Sequence, residues 1–586
     1  LLMSTLLFSV SMMAQTVTVK GIVTDAGNNE PLVGVFVGIK GNNTAGTMTG
    51  IDGDYTLSGV KSNSVLVFSL LGYTTVEMPY EGKAKIDVSL KSELTELDQV
   101  VVVGDGSMKK KDLTGSIASV SSDKLQQSIA TNVDQMLQGK VSGVQITQNS
   151  GAPGGATSIR VRGASSINNS NEPLYIIDGI PMSGSGDEIV GFSWAGGTNG
   201  QSKINPLSSI APSDIVSIDI LTDASATAIY GANGANGVIL VTTRRGQKGK
   251  AVISYDGYVT QQQIGKYLPM MNLPEYAQYE NEIAAFTSQQ ADESFGDPSI
   301  LGNGTDWQKE IFRTAYMQSH QVSVSGGSDV GTFAVSGGWT KQDGVVIGSD
   351  FQRFNSRMNA DANIRTWLHA GGSLAFTSTD QHITNNDGTD GVIMQALTMQ
   401  PSIPVYDLDG NWAGPNTVYG ASQYNPVWLA EMKTNNFTSH KIMGNFYITA
   451  DITKEINFRS EYGYDVSDNN SMCFVPTYSF GVLSSDINQI YRRDDHSSYW
   501  IWKNYATWNK SCGQNQFILM AGAELSRNDW SGNTINKKGL SNDLIKVVTT
   551  DGTFVANSGW KDAASTASFF GRLNYNYAER YLFTGT

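Results

Sequence analysis

The sequence predicts a mainly β chain in three parts: a small β-sandwich, a mixed α/β domain, and a large antiparallel sheet of the transmembrane-barrel kind. Three observations carry this reading. Aromatic residues make up 10% of the 586 residues and glycines number 62, while only 16% are charged; aromatic and β-branched side chains suit pleated surfaces, and Gly permits tight turns. From residue 251 onward, segments of about ten residues alternate apolar and polar, as in a strand with one face in lipid and the other in water. No stretch approaches the ~18 consecutive apolar residues of a membrane helix. A membrane setting therefore requires a closed barrel, which satisfies every backbone polar group in hydrocarbon.

Residues 1–14 (LLMSTLLFSVSMMA) read as the remnant of a secretory signal, cut after Ala14. Residues 15–92 form the sandwich. Val17–Val19, Gly21–Val23, Pro31–Val37, Tyr55–Leu57 and Val65–Leu71 are short apolar runs separated by Gly, Asn and Asp, with Asp52-Gly53 as a turn. Residues 93–112 change character. Asp98-Gln99 leads into four valines, Val100 to Val103, then Gly104-Asp105-Gly106 and the basic run Lys109–Lys111. Four β-branched residues beside flexible glycines make an extended segment able to add to the edge of another sheet. The residues alone equally allow these valines to be the last strand of the sandwich.

Residues 113–247 form the mixed domain. Val133–Leu137 is a short helix, and Ile159-Arg160-Val161-Arg162-Gly163 alternates as a strand. Pro173–Pro181 is a strand running into a turn at Asp178-Gly179, which reads as a turn in preference to a catalytic acid. Asp214–Leu221 alternates again, Ala224–Tyr230 is a small helix, and Gly237–Thr243 is a buried strand. The glycines at 231, 234 and 237 have the wrong spacing for a dinucleotide loop and precede a strand, which argues against phosphate binding.

In the region 248–586, Ile442, Gly444, Phe446, Ile448, Ala450 and Ile452 share one face, opposite Lys441, Asn445, Thr449 and Asp451. Ile456, Phe458, Tyr462, Tyr464 and Val466 likewise oppose Glu455, Asn457, Arg459, Glu461 and Asp465, and Phe569, Leu573, Tyr575 and Tyr577 oppose Ser568, Arg572, Asn574 and Asn576. Soluble sandwiches alternate too; the connections discriminate. They are short around 327–330, 366–367, 453–454, 510–513 and 578–579. They are longer around 265–316, 341–352, 380–438, 467–497 and 527–564. Short turns on one side and long loops on the other mark a membrane barrel. Trp339, Trp367, Trp508 and Tyr577 lie near strand ends, where an interfacial girdle belongs. About eleven segments are present, against about 22 strands in plugged transporters, so the sequence is expected to hold the first half of a barrel.

The remaining composition narrows the function classes. A formal charge of −14 and the lack of a basic face argue against nucleic acid. Cys473 and Cys512 allow one disulfide or two free thiols. His320, His369, His382, His440 and His496 are the only histidines, none in a zinc-protease motif, and no Gly-x-Ser-x-Gly elbow occurs. The expectation is a protein without enzymatic activity, metal or cofactor.

The three regions together resemble the SusC/RagA family of TonB-dependent outer-membrane transporters. The most specific stretches are Val141–Val144, Ile159–Gly163, Pro173–Pro181, and Asp223–Gly231 running on through Gly237 to Thr243. The first domain resembles the carboxypeptidase-regulatory-like module, a transthyretin-like sandwich that implies no peptidase activity, and 113–247 resembles the plug. The resemblance implies that Asp98, Gln99, Val100, Val101, Val102, Val103 and Gly104 form the TonB box. Here Gln99 and Asp105 replace the family's usual Glu and Tyr, changes that backbone-mediated strand addition tolerates. It further implies a plug motif of Arg160, Arg162, Gly163, Asp178, Gly179, Tyr230, Gly231 and Gly237, the arginines pairing with carboxylates of the barrel wall. The implied partners are TonB, a SusD-like lipoprotein, outer-membrane lipid and an oligosaccharide or peptide substrate. A non-transporting surface adhesin or glycan-binding protein is the alternative.

Overall fold

The computed structural model describes residues 17–26, 30–40, 42–61, 64–70, 73–90, 100–103, 106–109, 117–126, 132–148, 150–155, 157–161, 163, 171–182, 206–384, 391–415 and 423–586. The signal-like residues 1–14 lie outside them. The sandwich forms one compact unit, and the mixed domain with the large sheet forms a second.

In the sandwich, β1 (Val17–Asp25), β2 (Phe36–Ile39), β3 (Asn42–Met48), β4 (Asp54–Val60), β5 (Val65–Ser69), β6 (Val76–Pro79) and β7 (Val88–Leu90) form two sheets, ordered β4-β1-β7 and β3-β2-β5-β6. Their alternate residues, among them Val19, Val23, Val37, Leu57, Phe68 and Leu90, meet in one core. Gly53 has φ +72°, so Asp52-Gly53 is the expected turn, and a Cβ there would lie 2.6 Å from the Val23 carbonyl oxygen. Tyr55 closes the core by donating its hydroxyl to the Ile86 carbonyl at 2.9 Å. Burial, and then the nearby Asp87 carboxylate, push that hydroxyl up to about 12. Strands β3, β6 and β7 escaped the sequence reading because Asn42–Met48 is polar and the other two are too short to show a period. Next come β8 (Val100–Val103) and β9 (Gly106–Lys109), a two-stranded sheet of their own. The four valines extend neither sandwich sheet.

The mixed domain contains β10 (Ile117–Ser121), β11 (Val144–Gln148), β12 (Thr157–Val161), β13 (Leu174–Ile177), β14 (Ile180–Pro181), β15 (Ile215–Leu221) and β16 (Val238–Thr243). Its central sheet runs β10-β15-β16-β13-β14, and β11 pairs only with β12. Both faces of β15 and β16 are covered, which explains their nearly unbroken apolar runs.

The large sheet holds eleven antiparallel strands in consecutive order. They are β17 (Gly249–Gln262), β18 (Ala315–Gly327), β19 (Gly331–Asp343), β20 (Asp350–Arg365), β21 (Leu368–His382), β22 (Thr434–Asp451), β23 (Ile456–Val475), and then, beyond a small hairpin β24 (Tyr478–Phe480) and β25 (Leu483–Ser485), β26 (Gln489–Cys512), β27 (Asn515–Lys538), β28 (Thr553–Tyr577) and β29 (Tyr581–Gly585). Its polarity is inverted relative to a soluble protein. Phe354, Met358, Phe376, Ile442, Phe446, Phe458, Trp502 and Leu525 are exposed, whereas Arg353, Arg357, Asn359, Asn445, Glu461, Asp465, Lys503 and Arg572 are buried. The polar face wraps the mixed domain, which is therefore a plug inside a curved wall.

The short turns fall at 328–330, 366–367, 452–455, 513–514 and 578–580, close to expectation. The opposite connections need correction. The expected loops 467–497 and 527–564 are largely strand: β23 continues to Val475, β26 starts at Gln489, β27 runs to Lys538 and β28 starts at Thr553. At about 3.4 Å per residue these strands far outreach an apolar band of about 25 Å. Beyond the band the outer face turns polar, at Thr438, His440, Asp468, Asp494 and His496, so the alternation fades while pairing continues. Trp367 and Tyr577 sit at short turns as expected, but Trp339 lies within β19, stacked on His320 with centroids 6.2 Å apart. The long connections carry structure of their own, including a helix, Leu273–Thr287, with an Asn272/Glu275 capping box. They pack together around Trp307, Trp428 and Phe480. Cys473 is buried and Cys512 exposed, and both are free thiols.

Removing the Tyr55 hydroxyl tests the sandwich core. Tyr55→Phe should cost about 1 kcal/mol, read as roughly fivefold faster hydrogen exchange across β1 and β7, with the wall strands unaffected.

Candidate functional site

The contacts between plug and wall converge on the tip of one hairpin. Ile177 pairs with Ile180, leaving Asp178 and Gly179 as a two-residue turn. Both have positive φ, 47° and 89°. Asp-Gly suits a hairpin turn of this kind, because Asp tolerates the left-handed region and Gly enters it freely. The turn expected from the sequence is thus present, and it carries more than a change of chain direction.

The Asp178 carboxylate accepts from the Thr243 backbone N–H at 3.0 Å and the Thr243 hydroxyl at 2.6 Å, which fixes it to the plug's own β16. Its Oδ2 also pairs with Nη2 of Arg357 on β20, and the two side chains are 4% and 7% exposed. The turn's carbonyls are taken by the wall as well: Asn445 Nδ2 donates to the Asp178 oxygen at 3.3 Å and Lys503 Nζ to the Gly179 oxygen at 2.9 Å. Behind them, Asn445 donates to Glu461 at 2.6 Å and accepts from the Ser373 hydroxyl at 2.8 Å. Arg459 Nε donates to Glu461 at 3.1 Å. One plug turn therefore engages β20, β22 and β26 directly and β21 and β23 through their side chains. Ile180 lies over Gly463 of β23, where any Cβ would overlap it.

Two further sets of contacts seat the rest of the plug. Arg353 Nη1 donates to the Ser208 carbonyl at 2.9 Å, Thr377 to the Ser209 carbonyl at 2.7 Å, and Gln321 Nε2 to the Asp214 carboxylate at 2.5 Å. Beyond β16, Arg245 pairs with Asp361 at 2.9 Å, and Asn359 donates to the Arg244 carbonyl at 2.7 Å. On the opposite flank Gln381 reaches the Pro153 carbonyl at 2.5 Å, and Gly154 leaves room for Phe351.

The sequence-derived residues fare unevenly. Gly163, Gly179, Gly231 and Gly237 all have positive φ, and at Gly237 a Cβ would also meet Val161 at 2.8 Å. Tyr230 packs on Leu221, Val238 and Leu240. Arg160 is exposed on β12 and has no wall carboxylate among the described residues. Strand β12 pairs only with β11, and among the described residues the link from a plug arginine to a wall carboxylate is made by Arg245 instead. Arg162, Asp98, Gln99 and Gly104 lie outside the described residues, and Val100–Val103 are described only as the strand β8. The wall side of the site, Arg357, Asn445 and Lys503, was missed as a site, although Asn445 and Glu461 had been placed on the polar face. Among the described residues no cluster of His, Cys, Asp or Glu could hold a metal ion.

Comparison with known proteins adds the following. Residues 19–102 match the CarboxypepD_reg-like domain and residues 109–238 the TonB-dependent Receptor Plug Domain. The chain is 34% identical to the TonB-dependent receptor SusC of Bacteroides thetaiotaomicron, over 100% of the chain and 57% of that protein. It is 30% identical to a TonB-dependent receptor of Formosa agariphila, over 100% of the chain and 56% of the relative. The chain thus spans about half the length of the curated relatives it matches. Among solved structures, the RagAB peptide importer in its open-open state superposes with a TM-score of 0.69 at 24% identity, over 82% of this chain and 55% of that one.

Arg357→Gln should strand the Asp178 carboxylate in a buried setting, a loss of about 3–5 kcal/mol for a broken buried pair. The urea concentration at which residues 174–181 lose hydrogen-exchange protection should fall, while the wall strands keep theirs. An unchanged midpoint would show that the pair does not seat the plug.

Proposed function

We propose, on the premise that the chain belongs to the SusC/RagA family of TonB-dependent receptors, that it imports a bulky nutrient across the bacterial outer membrane, with 113–247 as plug and 248–586 as wall. The substrate is an oligosaccharide or a peptide, captured at the outer face with a SusD-like lipoprotein. The sandwich, 15–92, stands on the periplasmic side. Asp98 to Gly104 then serves as the TonB box: once released, it adds as a strand to TonB, and force from the inner membrane partly withdraws the plug.

The observation that carries this reading is the inverted polarity of the sheet around a seated plug. Lipid selects an outward face like that of Phe354, Phe446 and Trp502, and an aqueous path selects an inner one like that of Arg353, Asn445 and Lys503. A soluble adhesin would bury the first set and expose the second. The β8–β9 hairpin, a sheet of its own among the described residues, supports the box assignment, because an isolated two-stranded hairpin is marginal in water and can give way to strand addition. The plug contacts also fit the task. They are polar and distributed, so they hold the plug at rest and give way stepwise under load.

Deleting residues 98–104 should leave assembly in the outer membrane and ligand binding intact and abolish uptake. Detergent-extracted protein with heat-modifiable mobility and unchanged affinity, in cells that no longer grow on the nutrient, is the expected result. Normal growth of the deletion strain would rule out the box assignment.

A further inference from the structure

Between the sandwich and the plug the chain pairs with itself. Strands β8 (Val100–Val103) and β9 (Gly106–Lys109) form a two-stranded sheet that joins no other strand among the described residues. Two residues, Gly104 and Asp105, lie between them. That is too few for a parallel crossover, so the pair is antiparallel and Lys109 returns beside Val100. The two partners are chemically unequal: β8 is four valines, and β9 is Gly106, Ser107, Met108 and Lys109. Valine is enriched in strands, whereas glycine and lysine are depleted. The valines supply the tendency to extend, and β9 is a weak partner for them. With four residues a side and no third strand, the pairing is marginal in water.

A weak partner has a use here. A run of valines held extended and unpaired offers its backbone to any strand edge it meets, and pairing with β9 covers one of its own edges. The pairing also competes with strand addition. The TonB box runs from Asp98 to Gly104, and adding to another sheet requires it to be extended along that length. While β9 is paired, the chain reverses direction between Val103 and Gly106, so the box cannot run extended through Gly104. Closed hairpin and fully extended box exclude each other. We propose that Gly106–Lys109 is a placeholder strand, which keeps the TonB box self-paired at rest and which TonB displaces when it takes the box. The proposal rests on the box reading and adds its regulation.

Connectivity sets the order of events. The path from the box to the plug's first strand, β10, runs through β9. Tension between a TonB-held β8 and the plug peels β9 away from its Lys109 end, pair by pair, before β10 is loaded. Once open, residues 100–109 span up to about 30 Å at about 3.3 Å per residue, against about 5 Å between the paired ends. The box gains roughly 25 Å of reach while the plug contacts stay intact.

Calorimetry of the TonB periplasmic domain binding to the full-length protein in detergent tests this. A hairpin closed about half to nine-tenths of the time, as a marginal one would be, lowers the apparent affinity about two- to tenfold. Ser107→Pro/Met108→Pro strips β9 of two backbone donors and leaves residues 98–104 untouched, so TonB should bind about two- to tenfold tighter. Gly106→Val/Ser107→Thr makes β9 a better strand and should weaken binding. Hydrogen exchange at Val100–Val103 should be faster in the first variant and slower in the second, and heat-modifiable mobility of each confirms the fold. Affinity indifferent to both variants, or weakened by the prolines, overturns the placeholder, because TonB would then be using the free edge of an intact hairpin. Protein lacking residues 98–104 separates the two claims. If it binds TonB as tightly as the native chain, the box reading fails. If it does not bind, yet the β9 variants leave affinity unchanged, the placeholder alone fails.

Discussion

Hydrocarbon offers a peptide group no hydrogen-bond partner, and this constraint organises the large sheet. Strands β18 to β23, β26 and β27 each pair on both sides, so their backbones need nothing from their surroundings. The side chains then sort by face. Outward positions carry Phe, Ile, Leu, Met and Trp, while the inward positions of β20, β22, β23 and β26 hold arginine, lysine and carboxylates that lipid would penalise by several kcal/mol each. Those inward groups need partners, and the plug supplies many of them. The plug is held by the same groups that make the wall's interior polar.

The form of the seat follows from what a plug must do. A large apolar interface would hold it as a domain core does, and withdrawal would expose that surface to water all at once. Here the bonds go to carbonyls at Pro153, Asp178, Gly179, Ser208, Ser209 and Arg244 and to carboxylates at Asp178 and Asp214, all groups that water can satisfy once they are released. Most of the plug's own apolar residues gather in its core, around Val120, Ile159, Ile177, Ile218 and Val241, which the wall meets at Met443. Movement of the plug as a body therefore exchanges protein hydrogen bonds for water ones at modest net cost. The two plug–wall ion pairs are the exception, Asp178–Arg357 more than the half-exposed Arg245–Asp361, because separating them leaves charges that only water entry can stabilise.

Much of this was legible in the sequence, for a physical reason. Two-residue periodicity is strong wherever one face meets lipid and the other water, and it gave the faces of β22, β23 and β28 correctly. It failed where the outer face also becomes polar, which is why the upper halves of β23 and β26 read as loops. The turn at Asp178-Gly179 was readable because a two-residue hairpin with positive φ demands those residue types. Its partners were not: Arg357 and Lys503 lie far away in sequence, and no local pattern marks which inward charge meets the plug. Arg160 misled because alternation within Ile159–Gly163 says which residues share a face but not what that face meets. The helix at Leu273–Thr287 has its signal in Asn272, Pro274 and Glu275, a capping box that the length of the surrounding connection hides.

The account depends on one surface of the sheet meeting lipid and the other meeting plug and water. Nitroxide labels placed singly at Phe446, Phe458, Asn445 and Glu461 of the membrane-embedded protein measure this directly, through collision rates with oxygen and with a polar nickel complex. Labels at 446 and 458 should favour oxygen, as in hydrocarbon, while those at 445 and 461 should be shielded from it. If 446 and 458 met the nickel complex as freely as an exposed soluble site does, the outward face would be in water and the barrel reading would be wrong.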